Sequence, residues 1–118
     1  MSTASLAPTL GTLSPGATRV LFQAGSTAAA LLGLAPQVVE GFRAADAQLG
    51  TASPAISADL TLFRIYTLAY GLMGEDLQIL RWAQTPNHHL KATPVGLMST
   101  REGLLQVLSY LERMSDGR

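Results

Sequence analysis

A chain of 118 residues has room for one domain with a proper core, or for two small lobes that share one. Apolar residues make up 47% but charged residues only 14%, against a usual share of about 25%, so part of the surface is expected to be covered in an oligomer or by a partner. A net charge of zero with scattered Arg residues and one Lys excludes an overall basic nucleic-acid footprint, and the lack of cysteine excludes disulfides and thiolate metal sites.

No apolar run approaches the length needed to span a membrane. The stretch Met1 to Gly16 is rich in Ser, Thr, Ala, Pro and Gly and carries no charge, so it lacks the basic start of a secretory signal. Residues 1–14 read as a flexible tail of a cytoplasmic protein.

Ser14-Pro15 has the form of an N-cap followed by proline at the first helical position, and predicts a helix to Ala24 that stops at Gly25. Ser26 then caps a second short helix through Leu32, closed by Gly33. Pro36 opens a third, on which Val38, Val39, Phe42, Ala45 and Leu49 recur at helical spacing before Gly50. The run Gly50 to Pro54 is a loop by composition and the best boundary inside the chain.

From Ser57 to Met73 the residues are apolar on nearly every side, with a thin polar stripe of Asp59, Arg64 and Thr67. A helix of this kind has to be buried nearly all round, against the N-terminal helices on one side and the last module or a second subunit on the other. Gly74 closes it. Glu75 and Asp76 place negative charge at the positive end of the next helix, which runs through Leu77, Ile79, Leu80 and Trp82 until Thr85-Pro86. Thr93-Pro94 starts a helix of one or two turns. Ser99 with Glu102 has the spacing of a capping box before a last helix striped by Leu104, Val107, Leu108, Leu111 and Met114. With no alternating strand pattern, the chain is expected to be all-α: an N-terminal helix-turn-helix-like lobe over 15–55, then a long apolar helix and a C-terminal helical module over 56–118.

Ala29, Gly33 and Val39 stand where a helix-turn-helix needs a small residue in its first helix, a turn glycine and an apolar seal in its second, with Leu34 and Phe42 as further core positions. The outward face of that second helix offers Gln37, Glu40, Gly41, Arg43 and Ala44, so Gln37 and Arg43 are the candidate DNA contacts. DNA affinity comes largely from cations on phosphates. Here Arg19 and Arg43 are matched by Glu40 and Asp46, which weakens the case for direct binding by one copy.

His88-His89 is the conspicuous titratable pair. Adjacent histidines on an extended or turning backbone point apart, and no cysteine or nearby carboxylate completes a metal set. No phosphate loop or nucleophile motif is present, so neither catalysis nor a cofactor is expected. The stretch from Trp82 to Gly103 remains. Trp82 at a helix end, Pro86-Asn87 as a sharp stop and Pro94 as a rigid start describe a corner that can hold a shaped surface for another protein.

Trp82, Pro86-Asn87, Leu90, Pro94, Leu97, Thr100, Gly103, Val107 and Leu111 stand in an order that resembles the C-terminal toxin-binding domain of Xre/MbcA/ParS-type antitoxins paired with RES-domain toxins. The similarity covers about Ser57 to Gly117, and the helix-turn-helix signal lies where such antitoxins carry an Xre-like domain. The resemblance implies a non-enzymatic antitoxin that inhibits a toxin which degrades NAD or uses it for ADP-ribosylation. It also implies a homodimer or a larger toxin-antitoxin hetero-oligomer, and autorepression through operator DNA. On this reading Asn87, His88, His89, Lys91 and Arg118 are the candidate toxin contacts, with Trp82, Pro86, Pro94 and Gly103 as the structural motif. A DNA-binding regulator without a toxin and a purely structural helical adaptor are the alternatives.

Overall fold

The computed structural model describes residues 15–48 and 58–117, and these form an all-helical structure. The first helix, α1 (Pro15–Leu32), runs unbroken through Gly25 and Ser26, where the sequence predicts a stop and a second cap. Gly25 serves packing rather than a turn. A Cβ there would lie 2.1 Å from Asp59 Oδ1 and 2.6 Å from Asp59 Cβ, so only glycine lets the two helices meet. Glycine inside a helix costs about 1 kcal/mol relative to alanine, and the close approach to Asp59 offsets it.

The turn after α1 forms as predicted. Gly33 adopts φ +88, its N–H donates to Ala30 O at 3.1 Å, and Leu34 N–H donates to Ala29 O at 2.9 Å. This pair of bonds satisfies two carbonyls that a helix end leaves open. Helix α2 (Pro36–Gln48) then turns Val39 and Phe42 onto Ala28, Ala29, Leu32 and Leu34. The predicted tail over 1–14, the Gly50 to Pro54 loop and the proposed 55/56 boundary lie outside the described residues.

Helix α3 (Ala58–Met73) is the central element, packed chiefly against α1 and α6. Leu62, Ile65 and Ala69 are wholly buried, and each large apolar side chain so buried contributes about 1.5–3 kcal/mol. One expectation about α3 needs correction. Asp59 is not part of an outer polar stripe but is 1% exposed. The described residues leave one side of the helix open: Phe63 and Tyr70 stand 43% and 46% exposed there. The arc they share with Thr67 and Gly71 is left open because α1, α6, α2 and α4 all pack on the other sides.

Gly74, at φ +85, donates its N–H to Tyr70 O at 2.8 Å and closes α3. Helix α4 (Asp76–Ala83) follows at once, pinned by Tyr66, whose hydroxyl donates to Asp76 Oδ1 at 2.7 Å. A single turn, α5 (Pro94–Leu97), and the last helix, α6 (Arg101–Asp116), complete the described chain. Leu32, Leu62, Ile65, Ile79, Met98, Leu104, Val107 and Leu111 join in one continuous core. Asp46 ties three elements together at its edge, accepting from Ala58 N–H at 3.3 Å and from the Arg101 guanidinium.

Candidate functional site

The segment between α4 and α6 is built almost entirely by short-range hydrogen bonds. Thr85 N–H donates to Trp82 O and its hydroxyl to Arg81 O, and Pro86, which has no N–H to give, prevents another turn. Asn87 then organises a tight loop. Its Oδ1 accepts from His89 N–H at 2.8 Å and from Leu90 N–H at 3.0 Å, the pattern by which an Asn side chain imitates a backbone turn. Asn87 N–H donates to Ala92 O at 3.0 Å and Lys91 N–H to Asn87 O at 2.7 Å. Lys91 closes the loop at φ +63, a left-handed conformation that a residue other than glycine seldom adopts. Leu90 anchors the loop in the core, and Trp82, partly buried, packs against the same core.

Thr93 caps α5 by accepting from Gly96 N–H at 3.2 Å, with Pro94 buried at the first helical position. The cap of α6 differs from the capping box expected of Ser99 and Glu102. Thr100 Oγ1 accepts from Gly103 N–H at 3.0 Å, while Ser99 donates its hydroxyl to Gly96 O. The cap thus sits one residue later, and the backbone of the preceding turn passes close to α6 at Gly103. A Cβ on Gly103 would sit 1.6 Å from Leu97 O, so the glycine is what lets α5 and α6 touch.

The loop presents His88, His89 and Lys91 to solvent, while Asn87 is half-buried and spends its side-chain oxygen inside the turn. His88 and His89 meet edge to face at 5.8 Å between centroids, and His89 lies 6.2 Å from the Tyr110 ring on α6. Pro86, His88, Lys91 and Ala92 line a shallow depression. A second groove follows α4 through Gly74, Gln78, Arg81, Trp82 and Thr85. Among the described residues no three His, Asp or Glu side chains are placed to hold a metal ion. The loop sets the Lys91 cation, two imidazole rings and a proline edge on a backbone held by its own hydrogen bonds. Arg118 lies outside the described residues.

On the N-terminal side, Gln37 is exposed on α2 but Arg43 turns inward. Its guanidinium donates to both carboxylate oxygens of Asp59, at 3.1 and 2.7 Å, and also to Phe22 O and Ser26 Oγ. It stacks 4.7 Å from the centroid of the Phe22 ring. The Asp59 hydrogen bond, against the opposing effect of burial, holds the Arg43 pKa above its ordinary value. Helical spacing alone puts Arg43 on the outer face of α2; the signal missed was Gly25, a helix-interior glycine that makes room for a buried acid.

No curated protein matches this chain. Residues 68–117, from the second half of α3 through the cap after α6, match the family model of the antitoxin Xre/MbcA/ParS C-terminal toxin-binding domain, the family that the order Trp82, Pro86-Asn87, Pro94 and Gly103 resembles.

Proposed function

We propose that the chain is the antitoxin of a type II toxin-antitoxin system, that it binds and inhibits a RES-domain toxin which degrades NAD or transfers ADP-ribose from it, and that it represses its own operon. One observation carries the reading. The family match over 68–117 spans the segment whose backbone is most closely specified, from the Asn87 loop through the Thr93 and Thr100 caps to Gly103. A pre-formed surface binds a partner without the entropy loss of ordering a loop.

In this reading His88, His89 and Lys91 touch the toxin directly, Asn87 holds them in place, and Arg118 adds a cation at the end of the chain. The free antitoxin is a homodimer, and the complex a larger hetero-oligomer. Autorepression falls to α1 and α2. Gln37 is free to reach a DNA groove, whereas a DNA contact by Arg43 competes with its four hydrogen bonds inside the chain.

Co-expression with the RES-domain protein encoded beside it is the test. A stable co-purifying complex and restored cellular NAD support the proposal; a toxin that neither binds the chain nor loses activity in its presence refutes it. A salt-dependent shift of the upstream DNA by the chain or the complex tests the autorepression separately.

A further inference from the structure

We infer that the groove along α4 receives an acidic segment of the toxin, with Arg81 and the indole N–H of Trp82 donating to a carboxylate. This contact presupposes the toxin-binding reading. It adds a second docking element outside the Asn87 loop and specifies the charge of what binds there.

The groove follows one side of α4. Glu75, Gln78, Trp82 and Thr85 line it at spacings of three, four and three, the positions that a helix and its last turn bring to one face. Arg81 borders Trp82 there, and Met73 at the end of α3 adds an apolar wall. The donors in this groove are unspent. Arg43, Arg64 and Arg101 each close on a carboxylate of their own chain. Arg81 is exposed, and among the described residues its guanidinium makes no ion pair and no hydrogen bond. Trp82 packs part of its ring against the core, yet its indole N–H likewise has no acceptor among the described residues. Both groups only donate, so an acceptor from outside is what the two can share.

The sign of the charge continues past the groove. Its lining ends at Thr85, and the depression of the loop begins at the adjoining Pro86 and carries the exposed Lys91. The acid of the groove, Glu75, stands at the opposite end of α4, about 9 Å from Arg81 along the helix axis. A carboxylate suits this end because a guanidinium takes it through two parallel N–H bonds, and Trp and Arg are the side chains that most often anchor protein interfaces. A phosphate carries the same charge. The match over 68–117, however, is to a domain that binds a protein, and Met73 and Trp82 offer apolar surface for the neighbours of an acidic side chain.

Trp82 is the only tryptophan of the chain, so fluorotryptophan labelling places a single fluorine resonance in the groove. Titration with unlabelled, purified RES-domain toxin is expected to shift that resonance. Arg81→Glu is expected to raise the dissociation constant of the complex about tenfold or more, while Arg19→Glu, the same charge change on α1, stays within about twofold. Should either variant melt early, the resonance of the natural chain decides alone. A toxin that binds without moving the resonance, and that holds Arg81→Glu as tightly as the natural chain, overturns the groove contact and leaves the toxin-binding reading intact. A toxin that does not bind overturns both. A resonance moved by duplex DNA and not by the toxin overturns the acidic segment in favour of phosphate.

Discussion

Arg43 on α2 and Asp59 on α3 form a two-bond ion pair whose acid is almost wholly out of water, and the pair exists because Gly25 on α1 leaves it room. Removing one partner of a buried pair strands the other charge. Arg43→Ala is therefore expected to destabilise the chain by about 3 kcal/mol, read as a lower urea midpoint. A loss below about 0.5 kcal/mol would show that the pair is idle.

Gly25→Ala tests the same joint from the other helix. Helix propensity alone favours alanine by about 1 kcal/mol, but the new Cβ would press on Asp59 Cβ at 2.6 Å. The expected result is destabilisation of about 2–3 kcal/mol, with a stabilised variant contradicting the packing described.

At the α5–α6 junction, Gly103→Ala meets a backbone carbonyl instead of a side chain, Leu97 O at 1.6 Å. A carbonyl in a capped turn has little freedom to yield. We expect a loss of about 3 kcal/mol or more and altered amide signals from Thr93 to Leu104; a native melting curve would exclude the close approach.

The hydroxyl of Tyr66 donates to the Asp76 carboxylate, and this bond, helped by burial and by the Asp76 charge, lifts the phenol pKa above its ordinary value. A folded pKa above the unfolded one means that the stabilisation is complete below about pH 10 and disappears as the pH rises through the higher folded value. Tyr66→Phe is expected to lower stability by at most about 1 kcal/mol at neutral pH, with the difference from the natural chain vanishing in strong alkali. A difference that grew with pH would reverse the assignment.

Asn87→Ala removes the acceptor of two backbone N–H groups. Its expected effect is a looser loop, with faster amide exchange at His89 and Leu90. Toxin affinity is expected to fall about tenfold even though most of the Asn87 side chain is committed inside the turn. Lys91→Glu, which leaves the turn bonds in place, is expected to weaken the complex through charge alone, with a reduced salt dependence.

Much of this was legible in the residues themselves. Pro15, Pro36, Pro94, Gly33 and Gly74 mark helix ends because each has a fixed local consequence, and the Ala29, Val39 and Phe42 core positions follow from helical spacing. The reading failed where a residue answers to something distant. Gly25 looks like a stop until Asp59 is placed beside it, and Arg43 looks outward until α3 supplies a carboxylate. Such long-range contacts leave no periodic trace. The Asn87 loop is intermediate: its proline and asparagine are visible in the sequence, while the left-handed Lys91 is not.

The proposed function requires that the surface carried by 68–117 bind and silence a toxin. Titrating the purified chain into a purified RES-domain toxin, while following NAD consumption, is the direct test. The expected outcome is stoichiometric loss of NAD consumption by the natural chain, with an Asn87→Ala, Lys91→Glu double variant shifted to weaker inhibition. Undiminished NAD consumption at saturating chain would contradict it.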